Sequence, residues 1–196
     1  MAGRLGRRLA IVVLAALVVA LVVRGFAVQV FWVPSSSMEP TLFPGDRVLV
    51  NKLAGRFGDV HEGDVIVFAD PHPGPEPDRG AIGAAAHWLL AGVGAAPSDE
   101  TDFVKRVIAL PGQTWEIRRG RVIVDGATLD EPYLRAPPDA RSFGPDRVPE
   151  GNLFVLGDDR LHSSDSRFSE LGYVPRDKVI GTAVAIVWPP ARVGWL

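Results

Sequence analysis

Short runs of β-branched and alternating apolar residues recur along the chain, and turn signals separate them. Pro-Gly and Asp-Gly pairs stand at positions 44–45, 111–112 and 125–126. This pattern predicts strands joined by tight turns, with one hairpin turning at Arg119-Gly120. The sequence shows neither an alternation of strands with long helices nor a nucleotide-binding glycine pattern. We therefore expect an all-β fold of antiparallel sheets. The predicted strands are residues 47–50, 65–68, 103–110, 115–117, 122–124, 153–156 and 179–187.

A run of apolar residues, 9–23, lies between Arg8 and Arg24. As a helix it is roughly 22 Å long, against about 30 Å for a bilayer core, and snorkelling arginines together with residues 25–28 extend it. More arginines precede the run than follow it, which favours a cytoplasmic N-terminus. We expect a cytoplasmic segment 1–8, a transmembrane anchor 9–24 and an extracytoplasmic domain 25–196. A cleaved signal peptide is the alternative, although the residues after the run are bulky for a cleavage site.

Composition excludes several functions. The chain has no cysteine, which excludes a disulfide scaffold, a thiol nucleophile and thiolate metal sites. Its four histidines are scattered, and its net charge is −2 without a basic patch beyond the N-terminus, so neither a metal site nor nucleic-acid binding is expected. A reaction that needs a neutral amine has only three side chains to draw on. They are Lys52, Lys105 and Lys178.

Lys105 is the lysine of most interest. In an alternating strand it shares a face with Phe103, Val107 and Ala109. A lysine on an apolar face either extends its amine to water or is desolvated, and desolvation lowers its pKa. Arg106 beside it is expected to lower that pKa further. A neutral lysine can act as a general base.

Two polar segments carry residues suited to nucleophilic catalysis. Residues 34–42 include three consecutive serines ending at Ser37, fourteen residues past the apolar run. Because that length reaches at most about 46 Å, the segment lies near the membrane surface. A serine nucleophile needs a base, and His162 or Lys105 could supply it. Residues 157–167 follow a predicted strand directly, although either segment alone is also compatible with a plain polar turn.

Two stretches interrupt the strand pattern. Residues 71–97 are rich in Pro, Gly and Ala. They predict a surface loop with a short helix or, alternatively, an apolar edge over 81–96 that rests on the bilayer. Residues 131–149 are rich in Pro and Arg and predict an exposed loop.

Together these segments resemble the bacterial type I signal peptidases, or leader peptidases, a family of serine proteases with a Ser/Lys dyad. The resemblance spans nearly the whole chain and carries five motifs in order behind the apolar run. Residues 88–102 and the closing V-W-P-P-A-R resemble the high-GC Gram-positive branch. The motifs are S-x-S-M-x-P-T-L at 35–42, G-D-V-I-V-F at 63–68, V-K-R-V-I-x-L-P-G at 104–112, G-D-x-R-x-x-S-x-D-S-R at 157–167 and G-Y-V-P at 172–175.

The resemblance implies a role for each matching residue. Ser37 matches the nucleophile, Lys105 the general base, and Ser163 the serine that orients the lysine amine. The Ser37 backbone N–H and the Ser35 hydroxyl match the oxyanion donors. The remaining matches are Met38, which packs beside the nucleophile, and Asp165 with Arg167, an ion pair that holds the last loop in place.

The implied function is removal of N-terminal signal peptides from exported preproteins, with cleavage after small residues at −1 and −3. The implied partners are those signal peptides, membrane lipid and the secretion translocon, and the implied location is the outer face of the cytoplasmic membrane. No metal or cofactor is implied. The chain departs from the family pattern in its last loop, where Asp159 replaces the usual Asn and where Leu161 and His162 stand at positions that are commonly polar. The short chain between Lys105 and Gly157 implies a reduced second β-subdomain over 113–150.

Three other functions compete with this interpretation. A self-cleaving repressor of the SOS response also uses a Ser/Lys dyad, but it needs a DNA-binding domain where this chain has an apolar run. A membrane-tethered β module without catalysis is disfavoured because Ser37, Lys105 and Ser163 are all retained. A Ser/His/Asp hydrolase is the third, with His162 as its base.

Overall fold

A computed structural model describes residues 11–14, 27–57, 60–72, 80, 83, 102–134 and 139–196. In this part of the chain twelve strands form two antiparallel sheets, which confirms the all-β prediction. One short helix, α1 (Lys52–Phe57), and two 3-10 helices, Arg176–Lys178 and Pro190–Arg192, connect them. The strands are β1 Val28–Trp32, β2 Arg47–Asn51, β3 Val65–Ala69, β4 Asp102–Ala109, β5 Thr114–Arg118, β6 Arg121–Val124, β7 Ala127–Thr128, β8 Phe143–Arg147, β9 Asn152–Leu156, β10 Val174–Pro175, β11 Val179–Trp188 and β12 Gly194–Trp195.

The larger sheet has the strand order β1-β2-β11-β3-β4-β9-β10, and β12 pairs with β11. The strand that carries Lys105, β4, lies inside this sheet between β3 and β9, and Lys105 stands opposite Ile66 of β3. Because both of its edges are hydrogen-bonded, β4 is a rigid support for that side chain.

The smaller sheet has the order β7-β6-β5-β8. Its β5–β6 hairpin turns at Arg119 and Gly120, as predicted, and both residues have positive φ (49° and 80°). A two-residue hairpin turn requires this conformation. The prediction that 131–149 is only an exposed loop is wrong, because β8 lies within it and pairs with β5. Gly144, Pro145 and Asp146 have little strand propensity, so the edge of β5 imposes this strand.

Buried and exposed side chains alternate along the strands, and the buried ones form the core. In β5 the side chains of Trp115 and Ile117 are buried while Thr114 and Arg118 are exposed, and these two apolar side chains face the larger sheet. The Trp115 ring stacks on Phe154 of β9 with 3.9 Å between ring centroids. This cluster fastens the smaller sheet to the strands that flank the candidate site.

The N-terminal segment is described only over residues 11–14, which are helical and exposed. Within the described residues there is no helix of the length and hydropathy that crossing a bilayer requires. The anchor predicted over 9–24 otherwise lies outside the described residues. The same holds for segment 1–8 and for most of the stretch 71–97.

Candidate active site

The segment that carries Ser37 is a compact turn fixed to the core. The Glu39 N–H donates to the Ser36 carbonyl and the Leu42 N–H to the Met38 carbonyl, both at 2.9 Å. Met38 and Leu42 are almost completely buried in the same apolar cluster. Their burial holds Ser37, itself only 9% exposed, at a defined position beside β4.

Lys105 and Ser37 are brought together although 68 residues separate them in the chain. The Lys105 amine donates to the Ser37 Oγ at 2.7 Å. Lys105 is 3% exposed, so its amine is buried and does not extend to water. This contact has the geometry that a base needs in order to take a proton from a hydroxyl.

The surroundings of Lys105 favour the neutral amine. Burial lowers its pKa from the ordinary value of 10.5 to about 8, against the carboxylates of Asp165 and Asp158, which raise it. The cation that lowers the pKa is Arg167, whereas the sequence indicated Arg106. That expectation was wrong, since Arg106 is not among the groups that shift this pKa. The Arg106 guanidinium forms a bidentate ion pair with Asp158, at 2.9 and 2.7 Å.

The loop 157–167 packs directly against the Ser37 turn. The Asp159 N–H donates to the Ser37 carbonyl at 3.1 Å. Gly157 approaches so closely that a Cβ there would stand 2.5 Å from the Ser37 carbonyl oxygen and 2.2 Å from the Ser163 Oγ. The Ser163 Oγ is buried and has no hydrogen-bond partner among the described residues, so the expected bond to Lys105 is absent in this arrangement. The lysine-orienting role of Ser163 stays a prediction.

The Ser35 hydroxyl is exposed and lies 3.3 Å from the Ser37 Oγ. It therefore lies on the solvent side of the pair. A hydroxyl donor beside a nucleophile can stabilise charge that develops on a carbonyl oxygen. The oxyanion role expected for Ser35 and for the Ser37 N–H stays a prediction.

The ion pair expected between Asp165 and Arg167 is present and buried. The Arg167 Nε lies 2.8 Å from one Asp165 oxygen, and the second oxygen accepts from the Gly157 N–H at 3.1 Å. Arg167 also donates to the Arg160 carbonyl at 2.7 Å and to Asp139 at 3.3 Å. The pair thus ties the beginning and the end of the loop together.

A second polar cluster joins four of the motif segments, and the sequence did not indicate it. Arg106 binds Asp158 and donates to the Gly63 carbonyl at 2.8 Å, and the Thr41 hydroxyl donates to Asp158. Arg106 also lies over the Tyr133 ring, 3.9 Å from its centroid. The motifs contained all of these residues except Tyr133, but their spacing along the chain gives no sign that they meet.

The alternative base, His162, is exposed and bonds to Asp159, with 2.9 Å between its Nδ1 and a carboxylate oxygen. Of the two candidate bases, only Lys105 contacts the Ser37 hydroxyl. Asp159 thus holds His162 in a surface pair. Among the described residues no group of three or more His, Asp or Glu side chains is placed to bind a metal ion.

The chain is similar to known proteins over most of its length. Residues 6–188 match the family described as "Signal peptidase, peptidase S26". The chain is 40% identical to signal peptidase I of Leptolyngbya laminosa over 91% of its length and 78% of that protein. It is also 40% identical to signal peptidase I of Mycobacterium tuberculosis H37Rv, over 96% of its length and 74% of that protein.

A solved structure of a signal peptidase I from Enterococcus faecalis is 26% identical to this chain. The match covers 63% of this chain and 96% of that one, with a TM-score of 0.44.

The family match and the similarity to known signal peptidases define a serine endopeptidase. The family match and the identities place the chain more narrowly, and it belongs to the signal peptidase family, peptidase S26. Its class within that family is signal peptidase I.

Proposed function

We propose that this chain removes signal peptides from exported preproteins, cutting after small residues at −1 and −3, with Ser37 as nucleophile and Lys105 as general base. The observation that carries the proposal is the 2.7 Å hydrogen bond between the buried Lys105 amine and the Ser37 hydroxyl. The curated relatives that the chain resembles are themselves signal peptidases I.

The reaction begins with proton transfer. The neutral Lys105 amine takes the Ser37 proton while the Ser37 Oγ attacks the carbonyl carbon of the −1 residue. The carbonyl oxygen becomes an oxyanion, to which the Ser37 N–H and the Ser35 hydroxyl donate. When the C–N bond breaks, the Lys105 ammonium returns its proton to the departing amine of the mature chain. The signal peptide remains as an ester on Ser37.

Water then completes the cycle. Lys105, neutral again, deprotonates a water molecule that attacks the ester carbon, and the proton passes to the Ser37 oxygen as the ester C–O bond breaks. The products are the carboxylic acid of the signal peptide, which loses its proton to solvent, and the regenerated Ser37 hydroxyl. Ser163 is proposed to orient the amine during both steps, and Asp165 with Arg167 to keep the loop in place.

The proposed location of the protein rests on the apolar run near the N-terminus. We propose that residues 9–24 form a transmembrane anchor, with segment 1–8 in the cytoplasm and residues 25–196 on the outer face of the membrane, where 113–150 form the smaller β-subdomain. Signal peptides emerge from the translocon at that face, and the short chain between the anchor and Ser37 keeps the site close to lipid.

The test is cleavage of a preprotein carrying an Ala-x-Ala site by the detergent-solubilised full chain. Wild type is expected to release a mature protein whose new N-terminus follows that site, and Ser37→Ala to release none. Changing the −1 or −3 alanine of the substrate to leucine should block cleavage. If wild type cleaves elsewhere or not at all, while a known signal peptidase cleaves the same substrate, the proposal is wrong.

A further inference from the structure

Residues 131–133 leave the smaller sheet after β7 and reach two arginines of the segments that form the candidate site, Arg106 and Arg160. Arg106 follows Lys105 in β4, and Arg160 lies in the loop 157–167 that packs on Ser37. This short segment therefore contacts both halves of the site from outside it.

Tyr133 covers Arg106. Its ring lies 3.9 Å from the Arg106 guanidinium carbon and shields one face of the ion pair between Arg106 and Asp158. Shielding from water strengthens such a pair, because charges interact more strongly where the dielectric constant is low. The same pair receives the Thr41 hydroxyl, so its position is tied to the Ser37 turn.

Glu131 covers Arg160. The two side chains are 9% and 5% exposed and form an ion pair. The Arg160 Nε donates to the Gly157 carbonyl at 3.0 Å, and the Arg160 carbonyl accepts from Arg167. A buried guanidinium without its acid is strongly destabilised, so Glu131 keeps Arg160 in the position that supports Gly157.

Glu131 and Tyr133 also bind each other. The Tyr133 hydroxyl donates to the Glu131 carboxylate at 2.7 Å. Burial, and then Glu131, raise the pKa of Tyr133 above its ordinary value, so the hydroxyl keeps its proton and the bond persists at alkaline pH. Glu131 and Tyr133, joined by this hydrogen bond, therefore contact both Arg160 and Arg106.

We propose that Glu131 and Tyr133 are positioning residues for the cleavage reaction: through Arg106 and Arg160 they hold the Lys105 strand and the Gly157 loop at the spacing that keeps the lysine amine on the serine hydroxyl. The inference rests on the proposed function of Ser37 and Lys105. It assigns the segment after β7 an indirect part in catalysis, through the two arginines, and not a part in folding alone.

The experiment compares kcat and KM for preprotein cleavage in the solubilised full chain. A displacement of about 1 Å of reacting groups lowers rates by up to about a hundredfold. We therefore expect Glu131→Gln and Tyr133→Leu each to lower kcat by about tenfold or more, with KM changed by less than about twofold. Tyr133→Phe, which keeps the ring on Arg106, is expected to retain most of kcat.

The matched control is Glu116→Gln. Glu116 also pairs with an arginine of the smaller sheet, Arg118, but that arginine is 67% exposed and the pair does not contact the site. Loss of the Glu116–Arg118 pair is expected to leave kcat at the wild-type value.

Temperature separates positioning from folding. If Glu131→Gln and Tyr133→Leu act only by destabilising the protein, their kcat returns to the wild-type value well below their Tm, and the inference is wrong. Wild-type kcat in both variants at every temperature contradicts it equally. Cleavage by wild type in the same assay shows that the proposed function stands whichever result is obtained. Absence of cleavage by wild type counts against the proposed function instead.

Discussion

At the scale of single residues, opposing effects act on the pKa of Lys105. Asp165 and Asp158 favour its protonated form, while burial favours the neutral amine. Burial prevails. A pKa of about 8 instead of 10.5 corresponds to about 3 kcal/mol against the protonated amine. Each of these acids has an arginine partner, Arg167 for Asp165 and Arg106 for Asp158.

The pH dependence of cleavage should follow this pKa. The active form of the base is the neutral amine, so kcat/KM is expected to rise with pH and to level off above about 8. Below that pKa each unit of pH lowers the neutral fraction about tenfold. The measurement is kcat/KM between pH 6 and 10 under conditions where chemistry limits the rate. A profile that is flat from pH 6 upward would contradict a lysine base with this pKa.

Gly157 is the second residue whose environment makes a sharp prediction. Gly157→Ala places a methyl group 2.2 Å from the Ser163 Oγ and 2.5 Å from the Ser37 carbonyl oxygen. The loop must then move away from Ser37, with an expected loss of activity of about tenfold or more and a stability cost of about 1–3 kcal/mol. Activity and Tm of the variant test this.

The control is Gly194→Ala. A Cβ at Gly194 meets nothing closer than 4.0 Å, so both quantities should stay at their wild-type values. Equal behaviour of the two alanine variants would show that the close approach at Gly157 is unimportant.

At this scale the sequence predicted the contact between Ser37 and Lys105 through motifs, and it missed what surrounds them. Tyr133 over Arg106 and Glu131 on Arg160 join segments more than 25 residues apart. No local pattern marks such pairs, because they arise only when the smaller sheet folds back on the larger one. The ion pair of Arg106 was missed for the same reason, since its partner Asp158 lies 52 residues away.

At the scale of elements, the C-terminal 3-10 helix supports the turn that carries Ser37. The Arg192 Nε lies 3.0 Å from a carboxylate oxygen of the buried Asp46, and its guanidinium donates to the Thr41 carbonyl at 3.1 Å. Asp46 in turn accepts from the Phe43 N–H at 2.9 Å. The helix thus braces the chain on the C-terminal side of Ser37.

Arg192→Gln removes this brace. Asp46 is left partly unpaired, so the free energy of unfolding should fall by about 1–3 kcal/mol. The loss is no larger because Arg192 is one-third exposed and water partly screens the pair. Thermal unfolding measures this loss. Arg121→Gln, an exposed position of the β5–β6 hairpin, serves as the control, with an unchanged Tm expected. A Tm for Arg192→Gln equal to wild type contradicts the brace.

Strand prediction succeeded where alternation and turn signals coincide. The hairpin of β5 and β6 and the long strands β4 and β11 agree with the sequence to within a residue or two. β1 was missed because its apolar residues directly continue those of the presumed anchor. β8 was missed because its Gly-Pro-Asp sequence has no strand propensity, and only pairing with β5 makes it a strand.

At the scale of the whole molecule, the two sheets contribute different residues to the site. The larger sheet holds Lys105 in its interior, and the smaller one, joined through the Trp115–Phe154 stack, brings Glu131 and Tyr133 to the same place. The proposed anchor would hold the site at the membrane and would not take part in the chemistry.

The anchor makes its own prediction. The full chain is expected to sediment with membranes at high salt, and a chain starting at residue 25 to remain in the supernatant, because a run of apolar residues favours the bilayer. The double variant Leu14→Arg, Val18→Arg keeps the length and should also be released. External protease should digest residues 25–196 of the full chain in spheroplasts. Sedimentation of the double variant, or protection of that domain, contradicts the proposed topology.

The most direct test of the central claim is cleavage of the Ala-x-Ala preprotein by wild type, Lys105→Ala and His162→Ala, each verified as folded. Wild type and His162→Ala are expected to cut the same bond at the same rate. Removal of a base that acts together with its nucleophile lowers kcat by about a thousandfold or more, so Lys105→Ala should fall to background. Cleavage that survives in Lys105→Ala and disappears in His162→Ala would contradict the account and make the histidine the base.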